Sequence, residues 1–227
     1  MVRRRAGEIS PEREGALRPP DKFLTSLHDT AYRISDFPQP LWSGSATSAG
    51  RFNFSGSTST QYFCLHPLGP YAEIIRSLER MRMHPLSQGD PDWAFVHQVW
   101  AFVLDVTDVF ELTAESAGLV GLPADALLSD EFELCQRAAE QFGRQDPQFP
   151  SVWRYPSAAL PGTENVVIFG RRSMSSYGLK PVSPIQLPGC LVASAGRAPE
   201  ELLRVMRHVG DPGGITPMVQ PLSFAVP

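Results

Sequence analysis

The sequence predicts an α+β domain with a mixed or antiparallel β-sheet core and flanking helices. Three observations carry this. Short β-prone apolar runs recur at Gln61-Tyr62-Phe63-Cys64-Leu65, at Val99–Val106 and at Val166–Phe169. Apolar residues at helical spacing mark two amphipathic segments: Tyr71, Ile74, Ile75, Leu78 and Met81, then Phe132, Cys135, Ala138, Ala139 and Phe142. The remainder is broken into loops by many of the chain's 22 prolines.

A chain of 227 residues fits one domain, or one domain with an extension. Such a domain hides roughly 70% of its unfolded surface and needs no covalent staples. The net charge of -4 and pI near 5.7 give no global reason to expect nucleic acid as a partner. Cys64, Cys135 and Cys190 are odd in number and lack CxxC spacing, which fits cytosolic free thiols better than a disulfide framework. No apolar run approaches the ~20 residues that span a bilayer. The basic start MVRRRAGEISPEREG has no apolar segment behind it, so a cytoplasmic location is expected rather than secretion.

Each element has its local reason. Residues 1–22 mix charges, glycine and proline and are expected to be a disordered tail, with Arg3 to Arg5 solvated. Tyr32-Arg33-Ile34 reads as a short first strand, Asp36 to Gly50 as a loop, and Arg51 to Phe54 as a second extended piece. Pro70 suits the first position of a helix that must end before Pro85. Glu73 falls off that helix's apolar stripe, on the side of Arg76, Ser77 and Arg80, free to face a cleft. Val109–Leu112 reads as a strand separate from Val99–Val106. Asp130-x-x-Glu133 matches a capping box, and Gly143 is the natural stop of the helix it opens. Val152 to Ser157 leads toward the strand Val166–Phe169. A last helix is expected from Pro199 to His208, ended by Gly210. Residues 23–170 form the expected domain, and residues 171–227 an extension packed on it.

Several chemistries lack their signatures. His28, His66, His84, His97 and His208 show no HExxH or paired ligand spacing, so no metal site is expected. No GxSxG, P-loop or GxGxxG occurs. Gly162 and Asn165 read as a β-turn before a strand, and Glu111 and Glu115 as solvent-facing. Taken singly, Glu73 is a first-turn glutamate favouring the helix dipole. Arg33 and Arg51 are ion-pairing or surface arginines, Tyr62 is a core residue with a polar tip, and Ser157 is a turn residue or cap.

Their order says more. Arg33 in AYRIS is followed by Gly50-Arg51-Phe52-Asn53, Gly56, Tyr62 and Glu73, and later by Pro156-Ser157-Ala158 and the run NVVIF. From about Tyr32 to Phe169 this resembles the RES domain family, with Ala49 and Phe52 as departures from its commoner glycine and tryptophan. The resemblance implies a fold like that of the ADP-ribosyltransferase toxins and an enzyme that cleaves the N-glycosidic bond of NAD, with water or phosphate as acceptor. By position it assigns Glu73, Arg33 and Ser157 to catalysis, and Arg51, Tyr62 and Asn53 to substrate binding. The residue types suit the task. A carboxylate stabilises positive charge at the anomeric carbon. Guanidinium forks match phosphate oxygens. An aromatic ring can carry the nicotinamide, and a hydroxyl can fix the ribose or the amide. The resemblance further implies that NAD is substrate rather than cofactor, with inorganic phosphate as the alternative co-substrate. It implies the toxin half of a bacterial toxin–antitoxin pair whose antitoxin covers the cleft. Neither nucleic acid nor membrane is expected as a partner, and a homodimer stays open. The rival readings are an ADP-ribosyltransferase acting on a macromolecule and a non-catalytic binding module on the same fold.

Overall fold

A computed structural model of the protein describes residues 18–34, 50–54, 60–80, 99–169, 192–193 and 200–211. Its longest strands, β1 (Leu24–Ile34) and β3 (Val99–Glu111), pair antiparallel from Leu24 opposite Phe110 to Ile34 opposite Val99. Strand β2 (Thr60–Cys64) joins β1 where Cys64 meets Tyr32, and helix α1 (Gly69–Arg80) follows it. Strand β4 (Val152–Pro156) runs parallel to the end of β3, with Trp153 opposite Phe110. Strand β5 (Glu164–Phe169) lies antiparallel between β2 and β4. The β1–β3 pairing therefore closes a five-stranded ring in the order β1, β2, β5, β4, β3. Closure satisfies the backbone groups that an open sheet would leave at its edges. A two-residue strand, Val192–Ala193, adds to the free part of β3 at Val99 and Trp100.

Alternation along the strands sorts the side chains. Leu27, Ala31, Phe63, Phe102, Leu104, Val106, Val166 and Ile168 pack together inside the ring, while Val103, Asp105 and Thr107 of the same β3 are exposed. The other face of β2, β5 and β4 carries Tyr155, Val167 and Phe169 under a layer of turns and helix spanning residues 112–149. That layer contains α2 (Glu133–Ala138), which continues as a π-turn over Ala139–Arg144. Trp153 centres the packing, with Phe52, Phe110, Phe149 and Phe169 edge-on at 5.7, 5.7, 5.8 and 4.8 Å. Each such pair contributes about 0.5–1.5 kcal/mol beyond its burial. A third cluster joins Leu68, Ala72 and Ile75 of the α1 region to Ala159 and Leu160 and to Leu202 and Met206 of the α3 region (helix Glu200–Val205).

Four local expectations change. The first strand is eleven residues long rather than three, because β3 supplies partners as far back as Leu24. The two strands expected over Val99–Val106 and Val109–Leu112 are one, with Asp108 absorbing the irregularity at φ 64. Arg51 to Phe54 is no extended strand but a tight turn closed by a Gly50–Asn53 bridge. The Asp130–Glu133 capping box does not form: Phe132 is the N-cap residue without a side-chain bond, and Asp130 is drawn to Arg76 at 2.5 Å. Arg18, within the expected tail, pairs with Asp108 at 2.5 Å. Arg3 to Arg5, Met81, His84, His97, Cys190 and most of residues 171–227 lie outside the described residues.

Two contacts fix α1. A Cβ on Gly69 would lie 2.5 Å from Cys64 Cβ and 3.0 Å from its Sγ, so only glycine lets the helix start against β2. At the other end, His208 Nδ1 meets Glu79 Oε1 at 2.6 Å and its Nε2 meets the Leu203 carbonyl at 2.9 Å. Both ring nitrogens face acceptors, so the imidazolium form fits best. Glu79 first, then the Leu203 carbonyl, raise the His208 pKa above its ordinary 6.5 against the effect of burial.

Gly69→Ala should lower the denaturation midpoint by the equivalent of about 1–3 kcal/mol of overpacking. A midpoint equal to or above the parent's would show that Cys64 yields. For His208 the raised folded pKa means that its contribution is complete below about 6.5 and lost as pH rises through the folded value. Thermal denaturation across that range should therefore show a fall in stability that Glu79→Gln flattens. An unchanged pH profile in Glu79→Gln would dismiss the pair.

Candidate active site

Ring register builds the floor of the site. Tyr32 lies opposite Cys64, Cys64 opposite Asn165, and Asn165 opposite Tyr155, one row across β1, β2, β5 and β4. Residues directly opposite share a face, so these four side chains line up under the N-terminal half of α1. Glu73, one turn into α1, comes down on this row.

The Glu73 carboxylate is held at one oxygen. Oε1 accepts a hydrogen bond from Asn165 Nδ2 at 2.7 Å and another from Ser157 Oγ at 3.0 Å. Among the described residues no donor reaches Oε2. The Ser157 hydroxyl in turn accepts from the Leu160 and Ala159 N–H groups at 3.0 and 3.3 Å. With its lone pairs facing those donors, its single proton is directed to Glu73. Ser157 is buried, and its hydroxyl is shared between Glu73 and two backbone N–H groups. Asn165 keeps its Oδ1 buried without a partner, an acceptor waiting beside Glu73. Burial first, then the Glu73 charge, pushes the Cys64 thiol and the Tyr155 phenol up, so both stay protonated.

Arg51, Asn53 and Tyr62 form a second group. Tyr62 Oη donates to Asn53 Oδ1 at 2.6 Å and accepts the Phe52 N–H at 2.9 Å. Burial drives its pKa up, with the Phe52 N–H, Arg144 and Arg51 opposing. Gln136 Nε2 donates to the Gly50 and Asn53 carbonyls at 2.8 and 3.1 Å, and Arg144 donates to the Phe52 carbonyl at 2.6 Å. A Cβ on Gly50 would lie 2.5 Å from Asn53 Oδ1, which explains the glycine. Arg51 is buried, donates to the Ala126 and Ser129 carbonyls at 3.1 and 3.0 Å, and stacks on Phe132 at 4.6 Å. The motif thus ties the turn to the helical layer.

Arg33 emerges on the other side of β1, its guanidinium 6.0 Å from the Phe63 ring centroid. Its Nε is buried without a partner, and burial pulls its pKa down to about 10 while Tyr62 raises it. Of the expected set, Glu73 and Ser157 meet directly, Arg51, Asn53 and Tyr62 form the neighbouring turn, and Arg33 bonds to neither group. Sequence reasoning missed Asn165 and Tyr155, whose signal was only a polar and an aromatic residue at facing strand positions.

Among the described residues no group of three or more His, Cys, Asp or Glu could hold a metal ion. None of the described helices is long and apolar enough to cross a membrane.

No family model matches the sequence. No curated protein matches it either. The fold is similar to that of a chain in the crystal structure of the M. tuberculosis MbcT–MbcA toxin–antitoxin complex. The match has a TM-score of 0.51 at 18% identity and covers 80% of this chain and 91% of that one.

Proposed function

We propose that the protein cleaves the N-glycosidic bond of NAD at Glu73, releasing nicotinamide, and that it is the toxin of a toxin–antitoxin pair. The observation that carries the reading is the Glu73 carboxylate, anchored through Oε1 by Ser157 and Asn165, with no donor among the described residues at Oε2. The motif order across Arg33, Gly50–Asn53, Glu73 and Ser157 supports the same reaction, and the fold shared with a toxin–antitoxin complex supports the biological role. A partner protein that covers the site follows from that role.

In this mechanism the bond between C1′ and the pyridinium nitrogen breaks, and its electron pair leaves with neutral nicotinamide. Positive charge grows at C1′ and the ring oxygen, where Oε2 of Glu73 lowers its energy. Water or inorganic phosphate then bonds to C1′; water loses a proton to solvent in doing so. Ser157 and Asn165 hold the carboxylate's angle, which preorganises the charge before reaction. Asn165 Oδ1 is suited to a substrate hydroxyl or amide donor. Tyr62 and Asn53 keep the turn that borders the site, with Arg51 adding positive charge behind it. Arg33 remains a candidate substrate-binding cation, since its Nε has no protein partner.

Glu73→Gln preserves shape and removes the charge. It should fold, bind NAD with little change, and release nicotinamide on the order of 10²-fold more slowly or worse. Near-normal turnover by the folded variant would overturn the assignment. Ser157→Ala removes one bond to Glu73 while leaving its charge, so chromatography of the products should show a smaller fall in kcat with KM little changed. A Ser157→Ala loss as deep as that of Glu73→Gln would instead place the hydroxyl on the substrate. Running both assays with and without phosphate identifies the acceptor, because water gives ADP-ribose and phosphate gives its 1-phosphate ester.

A further inference from the structure

Beyond Glu73, the same face of α1 carries positive charge that few acidic groups among the described residues offset. Arg76 and Arg80 follow Glu73 by three and seven residues, about 4.5 and 10.5 Å along the axis. Arg51 and Arg207 approach from the turn and from the end of α3. Arg76 Nη2 pairs with Asp130 Oδ1 at 2.5 Å, and its Nη1 donates to the Arg207 carbonyl at 2.7 Å. Arg207 donates to the Leu128 carbonyl and, at 3.0 Å, to the Asp211 carbonyl. Four guanidinium groups thus share Asp130 and the exposed Asp211, whose carboxylate already accepts the His208 N–H at 2.7 Å.

Three of the four are fastened and one is not. Arg51, Arg76 and Arg207 spend donors on backbone carbonyls. Arg80 lies over the Phe132 ring at 3.7 Å and, among the described residues, makes no hydrogen bond. Stacking fixes its plane and leaves its N–H edge available, the presentation that matches phosphate oxygens. Arg207 Nε is buried without a partner in the same cluster. Burial lowers the pKa of Arg80 and of Arg207, Arg51 and Arg76 lower both further, and Asp130 opposes. Like charges gathered in a partly dry place are costly unless an anion joins them.

We propose that Arg80, backed by Arg51, Arg76 and Arg207 on the Phe132 platform, is the subsite that receives the diphosphate of the dinucleotide substrate. The proposal rests on the reading of Glu73 as the carboxylate at the anomeric carbon. It orients the substrate along α1, with the scissile bond over the Asn165 row and the phosphates toward the helix C-terminus. Because Arg80 holds no hydrogen bond among the described residues, its removal should cost little structure.

The test compares NAD with nicotinamide riboside, which has the same glycosidic bond and no diphosphate, and adds direct calorimetric titration with pyrophosphate. Arg80→Gln should weaken pyrophosphate binding and lower kcat/KM for NAD by about tenfold or more. Turnover of nicotinamide riboside and the melting temperature should stay at the parent's values. Arg80→Lys, which keeps the charge without the fork, should recover part of the loss. Equal losses on both substrates, or pyrophosphate binding that falls in Arg33→Gln and not in Arg80→Gln, would overturn the subsite. If the parent chain cleaves neither substrate, the glycosidase reading fails alone. The titration then decides the anion site, and pyrophosphate affinity unaltered by Arg80→Gln would dismiss it.

Discussion

The register of one cross-strand row governs this molecule. Tyr32, Cys64, Asn165 and Tyr155 stand side by side only because β1, β2, β5 and β4 pair at those positions. A slip of a single residue would turn each of them to the opposite face and bring the ring's apolar filling outward. The ring resists such a slip, since moving one strand disturbs both of its neighbours and the β1–β3 closure. The carboxylate above the row inherits that rigidity through Asn165, a precision that a loop-borne residue would lack.

Much of the local structure was legible in the sequence. The 3.6-residue spacing after Pro70 found α1 and showed Glu73 off its apolar stripe, which is where the carboxylate lies. Strand β5 was legible as an apolar run, and Ser157 as a motif residue. The contacts that define the site were hidden, for one physical reason. Asn165 and Glu73 are 92 positions apart, and Ser157 and Glu73 are 84 apart, so no window along the chain contains the interaction. Asn165 looked like a turn residue because its neighbours are polar on one side. Its function comes from strands that its own segment does not encode.

Tertiary capture also explains the misread cap. Asp130 and Glu133 carry the local signature of a helix start, yet an arginine 54 positions away offers Asp130 a charged partner. A bond to a charged group outweighs a bond to a backbone N–H by roughly a factor of two, so the helix opens uncapped. Arg51 shows the opposite surprise. A residue expected to reach for substrate spends hydrogen bonds on two carbonyls and lays its guanidinium face on Phe132.

The closed ring also has a consequence for synthesis. Strand β1 is made early, but its long partner ends at Glu111, and Asn165 arrives later still on β5. A nascent chain released before Phe169 carries Glu73 on a helix with neither Asn165 nor Ser157 locked against it, and with the ring unclosed between β2 and β4. The bond between Asn165 and Glu73 can therefore form only once the last strand of the ring has been made.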